Sequence, residues 1–400
     1  MKKRLLLVAS CVAVLTSNLA AQDGDEPKEA LFKYLTEVQL DDDSKRLLDA
    51  LKADKVNSRF SIVEVNKKHL RKRFVTLNLP DNLNKELTFE RQPLREDGDF
   101  LAVSAVRKKP IRNITMVCRG ADVIGQVHLD TALYTVRPLG NKLHVLIKRD
   151  LSKMPDLTDE EHADSAESGA QRQPPDAKVP SNRGASKTTQ QIDVMVVYTG
   201  KVAQDVKDVE LLAMYAIDLT EQSYVASGVL IDLKLVKVMA VNHVEQGTLQ
   251  FDNDDLLSGS ISMVHAQRDH YKADIVILLV ASGKPYGVAK TGASEAEAFA
   301  TLLYPYVDAP RYTFAHEIGH LHGNRHDTDI STHPFADGRG YASIVNGWRT
   351  VMASCPPHQE RELFWSNPLK QHLGENTGVA MKSDAARVLN HTAPTVAGFR

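Results

Sequence analysis

His316-Glu317-Ile318-Gly319-His320-Leu321-His322-Gly323-Asn324-Arg325-His326-Asp327 gathers imidazoles, a carboxylate and a helix stop within one short run. Histidines four apart on an α-helix differ by about 40° around the axis and about 6 Å along it, so His316 and His320 can share one metal ion. Glu317 sits at the edge of that face. A third ligand six residues further would lie about 240° around an unbroken helix and about 9 Å along it, out of reach of the same ion. The helix must therefore stop. Gly323 accepts the left-handed backbone of a helix C-terminus without steric cost, and Asn324 tolerates it next best, so the chain can turn and return His326. His322 is about 200° from His320 and points away, which excludes it as a ligand. Three neutral imidazoles with an open fourth position suit one catalytic Zn2+, at which the pKa of water falls to about 7. Glu317 is placed to take that water's proton as general base and to return it to a leaving amine.

The run resembles the metzincin metalloproteases, whose pattern is H-E-x-x-H-x-x-G-x-x-H followed downstream by a methionine turn. Every fixed position matches, and Trp348-Arg349-Thr350-Val351-Met352-Ala353-Ser354 resembles the turn, with Met352 under the metal. The likeness narrows to the bacterial peptidyl-Asp metalloendopeptidases and their reprolysin-like relatives. It rests on the order of Ile192 to Thr199, Ala273 to Val280, Tyr312 to Ala315, Phe364 to Pro368 and Val396 to Arg400. Ser354 stands where several metzincin subfamilies carry a tyrosine, so no tyrosine switch is expected.

The resemblance implies an α/β (α+β) metzincin-like catalytic domain, a mixed sheet carrying the zinc helix. It implies a zinc endopeptidase acting on peptides or proteins, and Tyr286-Gly287-Val288-Ala289 as an antiparallel edge strand that pairs with extended substrate. It implies that Asp327 ties the post-helix turn to the methionine-turn backbone. It also implies cleavage before acidic residues, which needs a cation in the pocket beyond the scissile bond. Arg349 is the candidate because arginine grips a carboxylate with two parallel bonds, with Arg339 in reserve. The competing reading is a secreted zinc-containing binding protein without proteolytic activity; the intact Glu317 argues against it.

Four hundred residues, 42% hydrophobic, with a net charge of -2, can bury two ordinary cores and present no broad field for nucleic acid or anionic membrane. Residues 1–21 read as an export signal, Lys2-Lys3-Arg4 followed by an apolar stretch to Leu15 and small residues ending near Ala21. That stretch is too short for a stable span, and no later run reaches the length of about 20 apolar residues that a span needs, so a secreted or periplasmic protein is expected. Beyond Cys11 only Cys118 and Cys355 remain, too few for a disulfide scaffold.

Residues 22–155 carry no ligand cluster or nucleophile constellation. Their short strand-like runs, Asn113 to Cys118, Asp122 to Leu129, Ala132 to Val136 and Lys142 to Ile147, predict an antiparallel meander, read as a β-rich propeptide domain. Residues 156–190 are acidic and rich in Ser, Gln and Pro, too polar to offset the entropy of ordering. They read as a linker cleaved on activation, with Arg172, Lys178, Arg183 and Lys187 as available sites. Residues 191–400 read as the catalytic domain: a strand, one helix over Val202 to Ala226, a strand over Leu230 to Val241, a helix over Asp254 to Arg268, a buried strand and the zinc helix. Cys118 as a thiolate blocking the metal, a pairing with Cys355 and two free thiols stay open as alternatives.

Overall fold

A computed structural model describes residues 30–80, 87–90, 95–97, 100–105, 111–154, 188–354 and 359–400. The expected export signal (residues 1–21), residues 156–187 of the expected linker and Cys355 lie outside the described residues.

The N-terminal region runs β1 (Phe32–Tyr34), α1 (Asp42–Ala53), β2 (Asn57–Val65), α2 (Lys67–Leu70), β3 (Phe74–Leu77), β4 (Leu87–Glu90), β5 (Arg95–Asp97), β6 (Phe100–Ala105), β7 (Ile111–Arg119), β8 (Asp122–Leu129), β9 (Leu133–Gly140) and β10 (Leu143–Arg149). β3 and β4 pair with each other; the other eight strands form one sheet in the order β1-β2-β10-β9-β8-β7-β6-β5. The meander from β7 to β10 follows the expected antiparallel runs. Helix α1 was not foreseen. Asp41 caps it by accepting from Ser44 N at 2.8 Å, and its Leu47 and Leu48 pack with Leu139, Val145 and Ile147.

The C-terminal region opens with β11 (Gln190–Tyr198), α3 (Gly200–Asp205), α4 (Val209–Ser227), β12 (Ile231–Ala240), α5 (Leu249–Ser258), α6 (Val264–Tyr271) and β13 (Ile275–Val280). It continues with β14 (Gly287–Ala289), β15 (Phe299–Leu303), α7 (Thr313–Leu321), β16 (Ala342–Ser343), β17 (Trp348–Arg349), β18 (Glu360–Arg361) and α8 (Ala385–Val396). Strands order β12-β11-β13-β15-β14; all pair in parallel except β14, which runs antiparallel to β15 at the edge. Every residue of β13, Ile275-Val276-Ile277-Leu278-Leu279-Val280, is buried, because a parallel sheet is covered on both faces. The pleat divides it. Ile275, Ile277 and Leu279 join the cluster that includes Ile318 and Leu321 of α7, while Val276, Leu278 and Val280 face the cluster containing Leu249, Leu256 and Val264 of α5 and α6.

Two expected helices are each broken in two. The helix placed over Val202 to Ala226 stops at Asp205 and restarts at Val209, because Asp208 leaves helical geometry to cap α4, accepting from Leu211 N at 2.9 Å. Arg119 of β7 holds the same carboxylate at 2.7 Å, a contact across 89 residues that periodicity does not encode. The helix placed over Asp254 to Arg268 is interrupted where Gly259, at φ 78°, caps α5, and α6 begins at Val264.

Candidate metal centre

Helix α7 carries His316 and His320 on one buried face and ends at Leu321; His322 is its C-cap and Gly323 follows at φ 97°, so the chain turns where the sequence demanded. The turn brings His326 back. Ligand-capable atoms of His316, His320 and His326 all lie within 4.8 Å of one another, the one such group of three or more His, Cys, Asp or Glu among the described residues. His316 Nε2 is 2.9 Å from His326 Nε2 and 3.1 Å from His320 Nε2. Tetrahedral ligands at a Zn–N distance near 2.0–2.1 Å stand about 3.3 Å apart, so the cluster has the dimensions of a zinc site.

The other ring nitrogens explain the orientation. His316 Nδ1 donates to Val351 O at 2.9 Å and His320 Nδ1 to Asn324 O at 3.0 Å. A proton held on Nδ1 leaves the Nε2 lone pair free, so two lone pairs face each other in a buried space, an arrangement that a cation relieves. Burial, and then the neighbouring His320, Arg361 and His326, hold the His316 pKa well below its ordinary value, keeping its imidazole neutral. The residues present thus fit a metal.

Glu317 is 3% exposed and lies against the edge strand. A Cβ built on Gly287 of β14 would stand 2.5 Å from the Glu317 carboxyl carbon, so only glycine leaves room for this carboxylate. Gly319 has a similar role beneath the helix: a Cβ there would meet Met352 Sδ at 2.5 Å and the Trp365 ring at 2.7 Å. Met352 is fully buried, and Trp365 Nε1 donates to Ser223 Oγ of α4 at 2.7 Å. Asp327 Oδ1 accepts from Ser354 N at 2.8 Å and from Ser354 Oγ at 3.2 Å, joining the turn after His326 to the backbone after Met352.

The remaining sequence candidates fall elsewhere. Arg349 was expected to offer its guanidinium to substrate, but it is 2% exposed. Its Nε donates to Gln359 O at 3.0 Å and its Nη1 to Ala353 O at 2.6 Å and Ser354 O at 3.2 Å, because carbonyls left over by the short strands β17 and β18 need donors. Arg339 Nη2 donates to Ser331 O at 2.8 Å. His322, excluded as a ligand by its helix position, is buried with Nδ1 2.7 Å from Thr392 Oγ1 and does not join the cluster. Cys118 is buried within the core of the N-terminal sheet, where desolvation pushes its thiol up to about 12, so it is a packed thiol rather than a thiolate blocking the site. The sequence reading placed Gly287 in the edge strand but not against Glu317, and it missed the close packing at Gly319 and the role of Arg361; Arg361 is 1% exposed and donates to Arg311 O at 2.6 Å and Ala353 O at 3.2 Å. Only Gly319 lay inside a recognised motif.

Residues 188–365 match Reprolysin_5, described as Metallo-peptidase family M12, the class of protein to which a centre built this way points. The peptidyl-Asp metalloendopeptidase of Xanthomonas campestris pv. campestris is 34% identical over 304 residues, covering 73% of this chain and 70% of that protein. The protein of the same name from Stenotrophomonas maltophilia strain K279a is 33% identical over 310 residues, 75% of this chain and 73% of its own length. A third, from Pseudomonas fragi, is 33% identical over 185 residues, 45% of this chain and 99% of that protein. The chain belongs to the M12 metallopeptidases, among the relatives of the peptidyl-Asp metalloendopeptidases. It is a metalloendopeptidase of peptide or protein substrates. Among the described residues no helix is long and apolar enough to cross a membrane.

Proposed function

We propose that the chain is an exported zinc endopeptidase in which His316, His320 and His326 hold the ion and Glu317 is the general base. The observation that carries this reading is the convergence of the Nε2 atoms at 2.9 and 3.1 Å while His316 and His320 spend Nδ1 on main-chain carbonyls. When bound, zinc supplies Lewis acidity toward the scissile carbonyl and the attacking water. Glu317 takes the water's proton on a carboxylate oxygen and returns it to the leaving amine. The free edge of β14 pairs with the extended substrate main chain and aligns the scissile bond over Glu317. Met352, beneath Gly319, and Asp327, bonded to Ser354, set the floor and the far turn of the site in the manner of a methionine turn. Glu317→Ala with zinc content measured alongside peptide hydrolysis tests the roles: activity is lost and zinc is kept, and loss of both refutes the assignment of Glu317 as base.

The finer readings rest on the same resemblance. The enzyme prefers an acidic residue after the scissile bond, a reading that the family resemblance implies and that the Asp in the relatives' name supports, and paired peptides differing only in Asp or Asn at that position test it. Arg349 enters this reading by donating to the carbonyls of Ala353, Ser354 and Gln359 rather than by meeting the substrate carboxylate. Residues 22–155 serve as a propeptide domain, cut in the linker 156–190 and followed by the catalytic domain 191–400, and residues 1–21 direct export. N-terminal sequencing of the mature secreted protein tests both boundaries.

A further inference from the structure

Asp308 lies four residues before Tyr312, the residue from which helix α7 starts, and its side chain is 0% exposed. Its main-chain oxygen accepts from Arg311 N at 3.0 Å and Tyr312 N at 2.8 Å, so this residue begins the turn that becomes the metal-bearing helix. Tyr312 sits at φ 52°, a conformation that costs a bulky residue energy and must be held by its surroundings.

Tyr215 of α4 donates to Asp308 Oδ2 at 3.3 Å from within the C-terminal region, and the charged holding groups come from the N-terminal sheet. Arg137 Nη2, from β9, donates to Asp308 Oδ2 at 2.5 Å, and Arg149 Nη1, from the end of β10, donates to Asp308 Oδ1 and to Ala309 O, each at 3.3 Å. Gln126 of β8 accepts from Ala309 N at 3.0 Å and donates to Tyr312 Oη at 3.3 Å. Apolar contact continues the junction, with Val117, Ile124 and Leu133 in the same cluster as Leu211, Leu212 and Tyr215 of α4. At the rim, Arg119 pairs with Asp208 and Glu210.

We propose that the N-terminal region remains a tightly bound partner of the catalytic region after the linker is cut, with Arg137 and Arg149 as the counter-ions of the buried Asp308. The inference rests on the reading of residues 22–155 as a propeptide. A cut in the linker removes none of these contacts. Separation would strip Asp308 of both arginines and expose core side chains of the sheet, and a buried charge that loses its partner is strongly destabilising. Activation then needs two events, cleavage and a later loss of the bound N-terminal fragment.

The test uses the full chain with a sequence-specific protease site replacing residues 172–178. After complete cutting, verified under denaturing conditions, the fragments are passed over a sizing column in 0.15 M and in 1 M salt. Co-elution in both is expected, because buried pairs are little screened; separation in either overturns the proposal. Arg137→Gln should weaken fragment affinity at least about tenfold, whereas Arg119→Gln, which removes pairs at the more exposed rim, should change it less than about threefold. The reverse order would overturn the role of Asp308. Peptide hydrolysis before and after the cut reports separately on the propeptide reading, since an uncut chain with full activity refutes that reading whether or not the fragments part.

Discussion

Gly287→Ala is the sharpest probe of the proposed general base, because it leaves every proposed ligand and Glu317 itself untouched. The added methyl group would stand 2.5 Å from the Glu317 carboxyl carbon and 2.8 Å from its Cγ. Carbon atoms approach comfortably to about 3.5 Å, so the carboxylate must retreat by roughly 1 Å or the edge strand must lift by the same amount. A misplacement near 1 Å at the reacting groups costs on the order of a hundredfold in rate. Zinc content should stay near one per chain, since the three heavy atoms nearest the new methyl all belong to Glu317 and none to His316, His320 or His326. The assay is kcat/KM on a fluorogenic peptide, with metal analysis and thermal unfolding of the same preparation. A fall of roughly a hundredfold with retained zinc is expected. Activity within about threefold of the parent would refute the claim that Gly287 seats Glu317, and loss of zinc would show that the methyl group disrupts the helix rather than the base.

Gly319→Ala should behave differently: its methyl group would meet Met352 and Trp365, and overpacking of this kind costs about 1–3 kcal/mol, so lowered thermal stability and weaker zinc retention are expected, read by melting with and without chelator. Asp327→Asn keeps an acceptor for Ser354 N and should be nearly silent, while Asp327→Ala removes it and should cost about 1–2 kcal/mol of stability; equal effects would count against the tie between the two turns. His144 accepts from Val123 N through Nε2, and burial lowers its pKa to about 4, so it is neutral when folded and takes a proton near 6.5 when unfolded. Its contribution is present above pH 6.5 and is lost as pH falls toward 4, by up to roughly 3 kcal/mol. His144→Gln should therefore narrow its stability gap to the parent as pH drops from 7 to 4.5, and a gap independent of pH in urea unfolding would refute the linkage.

What the sequence determined by itself was local. His316 and His320 share a helix face because four residues make just over one turn, and Gly323 ends the helix because it adopts a positive φ without strain, so the site was legible from twelve consecutive residues. The six apolar residues of β13 likewise announced a strand covered on both faces. Tertiary structure decided whatever depends on partners distant in the chain. Asp208 breaks the expected helix while held by Arg119 from 89 residues away, Arg349 turns inward to main-chain carbonyls, and Asp308 lies under arginines 171 and 159 residues earlier. Gly287 bears on the same distinction: a glycine in a short strand reads as a turn or a bend, and only its placement against the carboxylate of Glu317 shows that its missing side chain makes room for the proposed base. Periodicity and spacing report the geometry of one element at a time, whereas buried charge and close approach are settled where elements meet.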